Sequence, residues 1–220
     1  MQKTFEFLKK LKQNNNRDWF TANKESYQVS LDEVKAFAGK LNEQMNTHDH
    51  IDGTGKVYRI YRDVRFSEDK TPYKVSWSGS FRRATAHLRG GYYFHLESGN
   101  TFIAGGFFGP NAQDLLHIRK QIAQDPDPLR DILNARSFKN YFGTMTGEQV
   151  KTAPKGFSKD DPAIDLLRFK QFVIRHYFKD EEVLAPGFHK SMSSGFQKMR
   201  PFFDYMTGIL TTDLNGIPLV

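Results

Sequence analysis

Between residues 75 and 108 the apolar side chains of this chain recur at every second position, and that period dictates a sheet. Val75, Trp77, Gly79 and Phe81 alternate with Ser76, Ser78, Ser80 and Arg82, and Tyr92, Phe94 and Leu96 alternate with Tyr93, His95 and Glu97. Successive strand side chains point to opposite faces, so each set lines one face. Ser98-Gly99-Asn100 reads as a hairpin turn, with Thr101 to Phe108 as the strand after it. Upstream, residues 57–66 read as one strand, with Tyr58, Ile60, Val64 and Phe66 on one face and Arg59, Tyr61, Asp63 and Arg65 on the other. Arg62 falls among the apolar set. Four strands with short connections predict an antiparallel meander of four strands or more.

The period on either side is helical. Phe5, Phe7, Leu8 and Leu11 form a stripe that Asn14-Asn15-Asn16 ends, and a second helical region runs from Arg17 through Tyr27, Leu31, Val34, Phe37, Leu41 and Met45. His48 to Gly55 is a polar connection. Beyond the strands, residues 112–124, 128–135, 162–178 and 187–208 fit helices, punctuated by Pro126, Pro128, Pro154, Pro162 and Pro186. Asp161 reads as an N-cap before Pro162, with Leu166, Phe169 and Val173 as a buried stripe and Arg168, Lys170 and Arg175 on solvated faces. The class is therefore α+β, a meander sheet flanked by N-terminal and C-terminal helices. No repeat or linker interrupts the pattern, so a single domain over 1–220 is expected. With 20 phenylalanines, its core is largely aromatic.

The chain has no cysteine, which excludes disulfides, thiolate zinc sites and a cysteine nucleophile and is compatible with a reducing compartment. The first ten residues hold no apolar run of signal-peptide length, and no segment approaches the ~20 apolar residues that span a bilayer. A cytoplasmic protein without a membrane partner is expected. The net charge of +7 is concentrated: residues 51–93 carry nine Lys/Arg against four Asp/Glu, a net of +5, and the rest of the chain carries 23 against 21. A local basic field suits an anionic partner.

That field centres on Lys56-Val-Tyr-Arg-Ile-Tyr-Arg-Asp-Val-Arg-Phe-Ser-Glu-Asp-Lys-Thr-Pro-Tyr-Lys74. Charges at this density are costly to order unless they pair with each other or face a ligand. The planar fork of arginine matches two oxygens of a phosphate or carboxylate, so Arg59, Arg62 and Arg65 are candidates to clamp an anion, with Asp63 and Asp69 orienting them. Lys70 and Lys74 add charge, Tyr73, Tyr92 and Tyr93 add rings and hydroxyls, and His95 is the candidate acid or base on the neighbouring strand. The expected ligand is a phosphorylated small molecule or nucleotide. A nucleic acid bound by the same basic face is the alternative, and an Arg–Asp network that only anchors the fold is another.

Other patterns are weaker. His48-Asp49-His50 with Asp52 lacks a complete metal-ligand set and reads as a solvated loop. Gly105-Gly106-Phe107-Phe108-Gly109 leads into a helix, but Asp114 in its first turn repels phosphate, so these glycines read as strand packing and a turn. Nucleotide-loop, dinucleotide-fold and nucleophile-elbow patterns are missing, and the sequence leaves any cofactor unknown.

Arg62-Asp63-Val64-Arg65-Phe66-Ser67-Glu68-Asp69-Lys70-Thr71-Pro72-Tyr73-Lys74 resembles the signature of a bacterial and fungal family catalogued as domain of unknown function 2461. Asn15-Asn16-Arg17-Asp18-Trp19-Phe20 with Asn23-Lys24, Gly91-Tyr92-Tyr93-Phe94-His95, Pro154-Lys155-Gly156-Phe157 and Leu166-Leu167-Arg168-Phe169-Lys170 are similar to its other motifs. The resemblance implies one α+β domain over nearly the whole chain. It supplies no activity, but it points to Arg62, Asp63, Arg65, Asp69, Lys70, Tyr73 and Lys74.

Overall fold

The computed structural model describes residues 1–85 and 87–219. The elements are α1 (Gln2–Gln13), α2 (Arg17–Ala22), α3 (Lys24–Met45), β1 (Lys56–Tyr58), β2 (Trp77–Arg82), β3 (Gly91–Leu96), β4 (Thr101–Phe107), α4 (Ala112–Gln124), α5 (Asp127–Asn134), α6 (Arg136–Phe142), α7 (Ile164–Leu167), β5 (Phe172–Phe178), α8 (Asp180–Leu184), α9 (Phe188–Gln197) and α10 (Arg200–Thr211). The strands form one antiparallel sheet in the order β1-β2-β3-β4-β5, with helices at both ends of the chain, so the class is α+β.

Three expectations are corrected. The strand expected over 57–66 pairs with β2 only through Tyr58, and Phe66, assigned to its apolar face, is 97% exposed. The helix expected over 162–178 is one short turn, α7, followed by strand β5. Its apolar residues at 166, 169 and 173 mimic a helical stripe. However, the amide of Val150 donates to the carbonyl of Arg168 (2.9 Å), that of Lys170 to Glu148 (2.7 Å) and that of Val173 to Thr146 (2.9 Å), which hold the segment extended. Phe-Val-Ile-Arg-His-Tyr-Phe is also rich in the β-branched and aromatic residues that suit a strand. The helix expected over 187–208 divides into α9 and α10, with Pro201 in the first turn of the second, where its missing amide costs nothing.

The described residues divide into two compact units. The first comprises 1–81, 93–103 and 177–194. In it Trp77 is fully buried and donates through Nε1 to Ser30 on α3 (2.8 Å), while Phe37 of α3 meets Phe94 of β3 and stacks on Phe188 of α9. Glu33 of α3 accepts from the backbone amide of Thr4 (2.8 Å) and from its hydroxyl (2.6 Å), tying α1 to α3. Gly79 is required by close approach: a Cβ there would lie 2.4 Å from the Phe94 ring and 2.7 Å from the Lys56 carbonyl.

The second unit comprises the described residues of 82–92, 104–176 and 195–219. Its core packs Tyr92, Phe107, Phe196, Phe202 and Phe203. Gly105 and Gly106 are strand-packing positions, as read from the sequence, because a Cβ on Gly106 would lie 2.0 Å from the Phe172 carbonyl. The buried Arg83 guanidinium donates to the Arg89 carbonyl and the Thr207 hydroxyl (both 3.2 Å) and lies 5.5 Å from the Phe203 ring centre. The Arg168 guanidinium, expected on a solvated helix face, donates to the carbonyls of Val150 and Lys151.

Candidate functional site

Strand β1 is an edge of the sheet, and the chain leaves the ladder after Tyr58 to make an excursion between Tyr61 and Tyr73. The two tyrosines pair as an isolated bridge, with Arg62 N donating to Pro72 O (2.9 Å) and Lys74 N to Ile60 O (2.7 Å). The excursion is stapled from inside. Arg62 pairs with Asp69 and donates to the Thr71 hydroxyl, while the other oxygen of Asp69 accepts from the Thr71 amide (2.9 Å) and hydroxyl (2.8 Å). Lys70 donates to the Val64 carbonyl (3.1 Å). Side chains that bond their own backbone compete with ladder pairing, and these bonds hold the segment between Tyr61 and Tyr73 as a loop.

These pairings shift the carboxylates. The bond from Arg62, with those from Thr71, pulls Asp69 down to about 2. The bidentate bond from Arg65 (Nε to Oδ1 2.9 Å, Nη2 to Oδ2 2.7 Å) holds Asp63 below the usual carboxylate range. Both pairings therefore favour the ionised acid.

The base of the excursion is clamped by a residue that the sequence places in a helix stop and a family motif but gives no contact. Asn15 donates through Nδ2 to the Tyr73 carbonyl (2.8 Å) and accepts from the Tyr73 amide (3.2 Å). Tyr73 is buried and stacks on Phe20 at 4.0 Å, and burial pushes its hydroxyl pKa up. Its backbone and ring both serve packing.

Beside this loop is an open groove of about 730 Å³ lined by Lys56, Val57, Tyr58, Arg59, Tyr61, Arg62, Asp63 and Lys74. Four cations face one carboxylate. Lys56, Arg59 and Lys74 form no ion pair among the described residues, whereas Arg62 is held by Asp69. Lys56 lies 5.4 Å from the centre of the Tyr58 ring. Such an arrangement can neutralise and hydrogen-bond an anionic group and offer two tyrosine rings beside it.

The structure thus brings Arg59, Arg62, Asp63 and Lys74 to one groove and adds Lys56, Tyr58 and Tyr61, which lie outside the set read from the sequence. Arg65, Asp69 and Lys70 belong to the stapled loop. Tyr92 does not line the groove: it is 1% exposed, 5.0 Å from Phe196 and 4.8 Å from Phe203. Tyr93 and His95 lie on the opposite face of β3. There His95 Nε2 meets Glu97 Oε2 (3.0 Å) and Nδ1 meets the Tyr93 hydroxyl (3.4 Å), with the imidazole stacked on Phe102. Burial raises the Glu97 pKa, but the bonds from His95 and Asn100 more than offset it and leave the carboxyl below its ordinary range. Both nitrogens of His95 are thus engaged within this row.

His48 and Asp49 are not in a solvated loop: Asp49 is buried and His48 Nε2 meets Ser193 Oγ (3.0 Å). No helix among the described residues is long and apolar enough to cross a membrane. Neither a curated protein nor a solved structure matches the chain. A family model described as Conserved hypothetical protein (DUF2461) matches residues 3–205, which include the groove, the stapled loop and the Tyr93–His95–Glu97 row, and the chain belongs to that family.

Proposed function

We propose that the chain binds the phosphate of a small molecule or nucleotide in the groove beside β1. One observation carries the reading: among the described residues Lys56, Arg59 and Lys74 converge on one groove without an ion pair of their own, beside the already committed Arg62, and the one carboxylate lining it, Asp63, is bonded by Arg65. Uncompensated cations drawn together repel each other, and an anion between them relieves that repulsion. Arg59 and Lys74 take the phosphate oxygens, Lys56 adds charge, and Tyr58 and Tyr61 flank the remainder of the ligand. Arg62, Asp63 and Asp69 hold the wall of the groove in place. If the bound ligand reacts, Tyr93, backed by His95 and Glu97, is the group on the adjoining face that can give or take a proton. The lack of cysteine is in keeping with a cytoplasmic setting.

A thermal-shift screen of phosphates, sugar phosphates and nucleotides tests the reading. A ligand at 100 times its Kd stabilises by about 2.7 kcal/mol, a rise of about 5–11 °C for a domain of this size. Selective shifts that vanish in the Arg59→Ala and Lys74→Ala double variant support the groove. Shifts that survive in that variant place binding elsewhere.

A further inference from the structure

The face of the sheet beside the groove carries a row of rings that the binding of one phosphate does not use. Lys56 pairs with Ser80 and Tyr58 with Ser78, and the Tyr58 hydroxyl meets Ser80 Oγ at 2.8 Å. Gly79, between those serines, faces the Phe94 ring on the side where Trp77 is buried. Alternation therefore puts Lys56, Tyr58, Ser78, Ser80, Tyr93 and His95 together on the other side. The row continues across β4 and β5. Phe102 is 5.9 Å from Tyr93 and stacks on His95 at 4.8 Å, and Tyr177 is 5.4 Å from Phe102.

Cross-strand packing accounts for the half-buried Tyr93, His95 and Phe102. It does not account for Tyr177, which is 54% exposed at the end of the row. Nor does it account for the row starting beside unpaired cations. The strand order fixes the scale: at ~4.8 Å per strand, β3 lies about 10 Å and β5 about 19 Å from β1. A mononucleotide, whose base is one sugar away from its phosphate, is too short to use both the groove and Tyr177. A chain of nucleotides is long enough, and it needs the two things present here, cations for its phosphates and rings for its bases.

We propose that this face and the groove together bind a short single-stranded nucleic acid, with phosphates on Lys56, Arg59 and Lys74 and bases stacked on Tyr93, Phe102 and Tyr177. The proposal rests on the groove being a phosphate site and extends its ligand from one nucleotide to several.

The test is fluorescence anisotropy with a labelled oligothymidylate of about twelve nucleotides, within the 4–16 nucleotides common for single-strand sites, and thymidine monophosphate as the competing probe. The oligonucleotide should bind at least about tenfold more tightly than the monophosphate, and its affinity should fall with salt at a log–log slope of about −2 for three phosphate contacts. Tyr177→Ala, at an exposed position, should weaken the oligonucleotide by about fivefold or more and leave the monophosphate unchanged. Tyr177→Phe, which keeps the ring, should restore it. An oligonucleotide no tighter than the monophosphate, or one indifferent to Tyr177→Ala, overturns the inference and leaves the groove as a small-ligand site. Absence of binding by either probe overturns both.

Discussion

At the scale of single residues, the charged segment holds two kinds of cation. Arg62 and Arg65 are committed to carboxylates, and Arg59, Lys56 and Lys74 are not. The distinction predicts different behaviour on mutation. Arg59→Ala removes an exposed side chain, so stability measured in urea should stay within about 0.5 kcal/mol while phosphate affinity falls about tenfold or more. Asp69 marks the committed kind. Its pKa of about 2 in the fold lies below its unfolded value, so its contribution is complete above about pH 4 and is lost as pH falls through 2. A carboxyl NMR titration should place its midpoint near 2. A midpoint at the ordinary carboxylate value would mean that the Arg62 staple is not formed in solution.

At the scale of elements, what was legible followed from period. The strands β2, β3 and β4 and the hairpin between the last two were readable because Trp77, Phe81, Tyr92, Phe94 and Leu96 alternate with polar residues without a break. β1 was read too long because Tyr58, Ile60, Val64 and Phe66 continue the alternation on paper. Side-chain chemistry that period does not register, the bonds Asp63 and Asp69 make inside the loop, keeps residues 63–71 off the ladder. β5 was hidden because Leu166, Phe169 and Val173 share the spacing of a helix face, while the partners that extend the chain, Thr146 and Glu148, lie some twenty residues upstream. In the candidate site, the cations were readable from charge density. The clamp by Asn15 was not, since a contact 58 positions apart leaves no local trace. Asn15→Ala strips Tyr73 of both backbone bonds and should destabilise by about 1–3 kcal/mol in chemical denaturation, with no change of the sheet in circular dichroism. Gly79→Ala drives a methyl group into the Phe94 ring and should cost about 1–3 kcal/mol in the same assay.

At the scale of the whole molecule, the basic field and the fold meet at the edge strand. An edge exposes unpaired backbone and is commonly guarded by charge. Here β1 is three residues long, begins with Lys56 and is followed by the stapled loop, so guarding the edge and the anion binding proposed above would draw on the same residues. β3, β4 and β5 each contribute residues to both compact units. If the chain is one domain, as its continuous pattern suggests, circular dichroism and tryptophan fluorescence should report one coincident unfolding transition, and two separated midpoints would divide it. The central claim, that the groove beside β1 holds a phosphate, is tested most directly by a ¹⁵N-correlation NMR titration with a nucleoside triphosphate. Saturable shifts should concentrate at residues 56–63 and Lys74, including the Arg59 Nε–H signal, and should be lost in Arg59→Ala. Shifts centred on another part of the chain, or none at millimolar ligand, would contradict the claim.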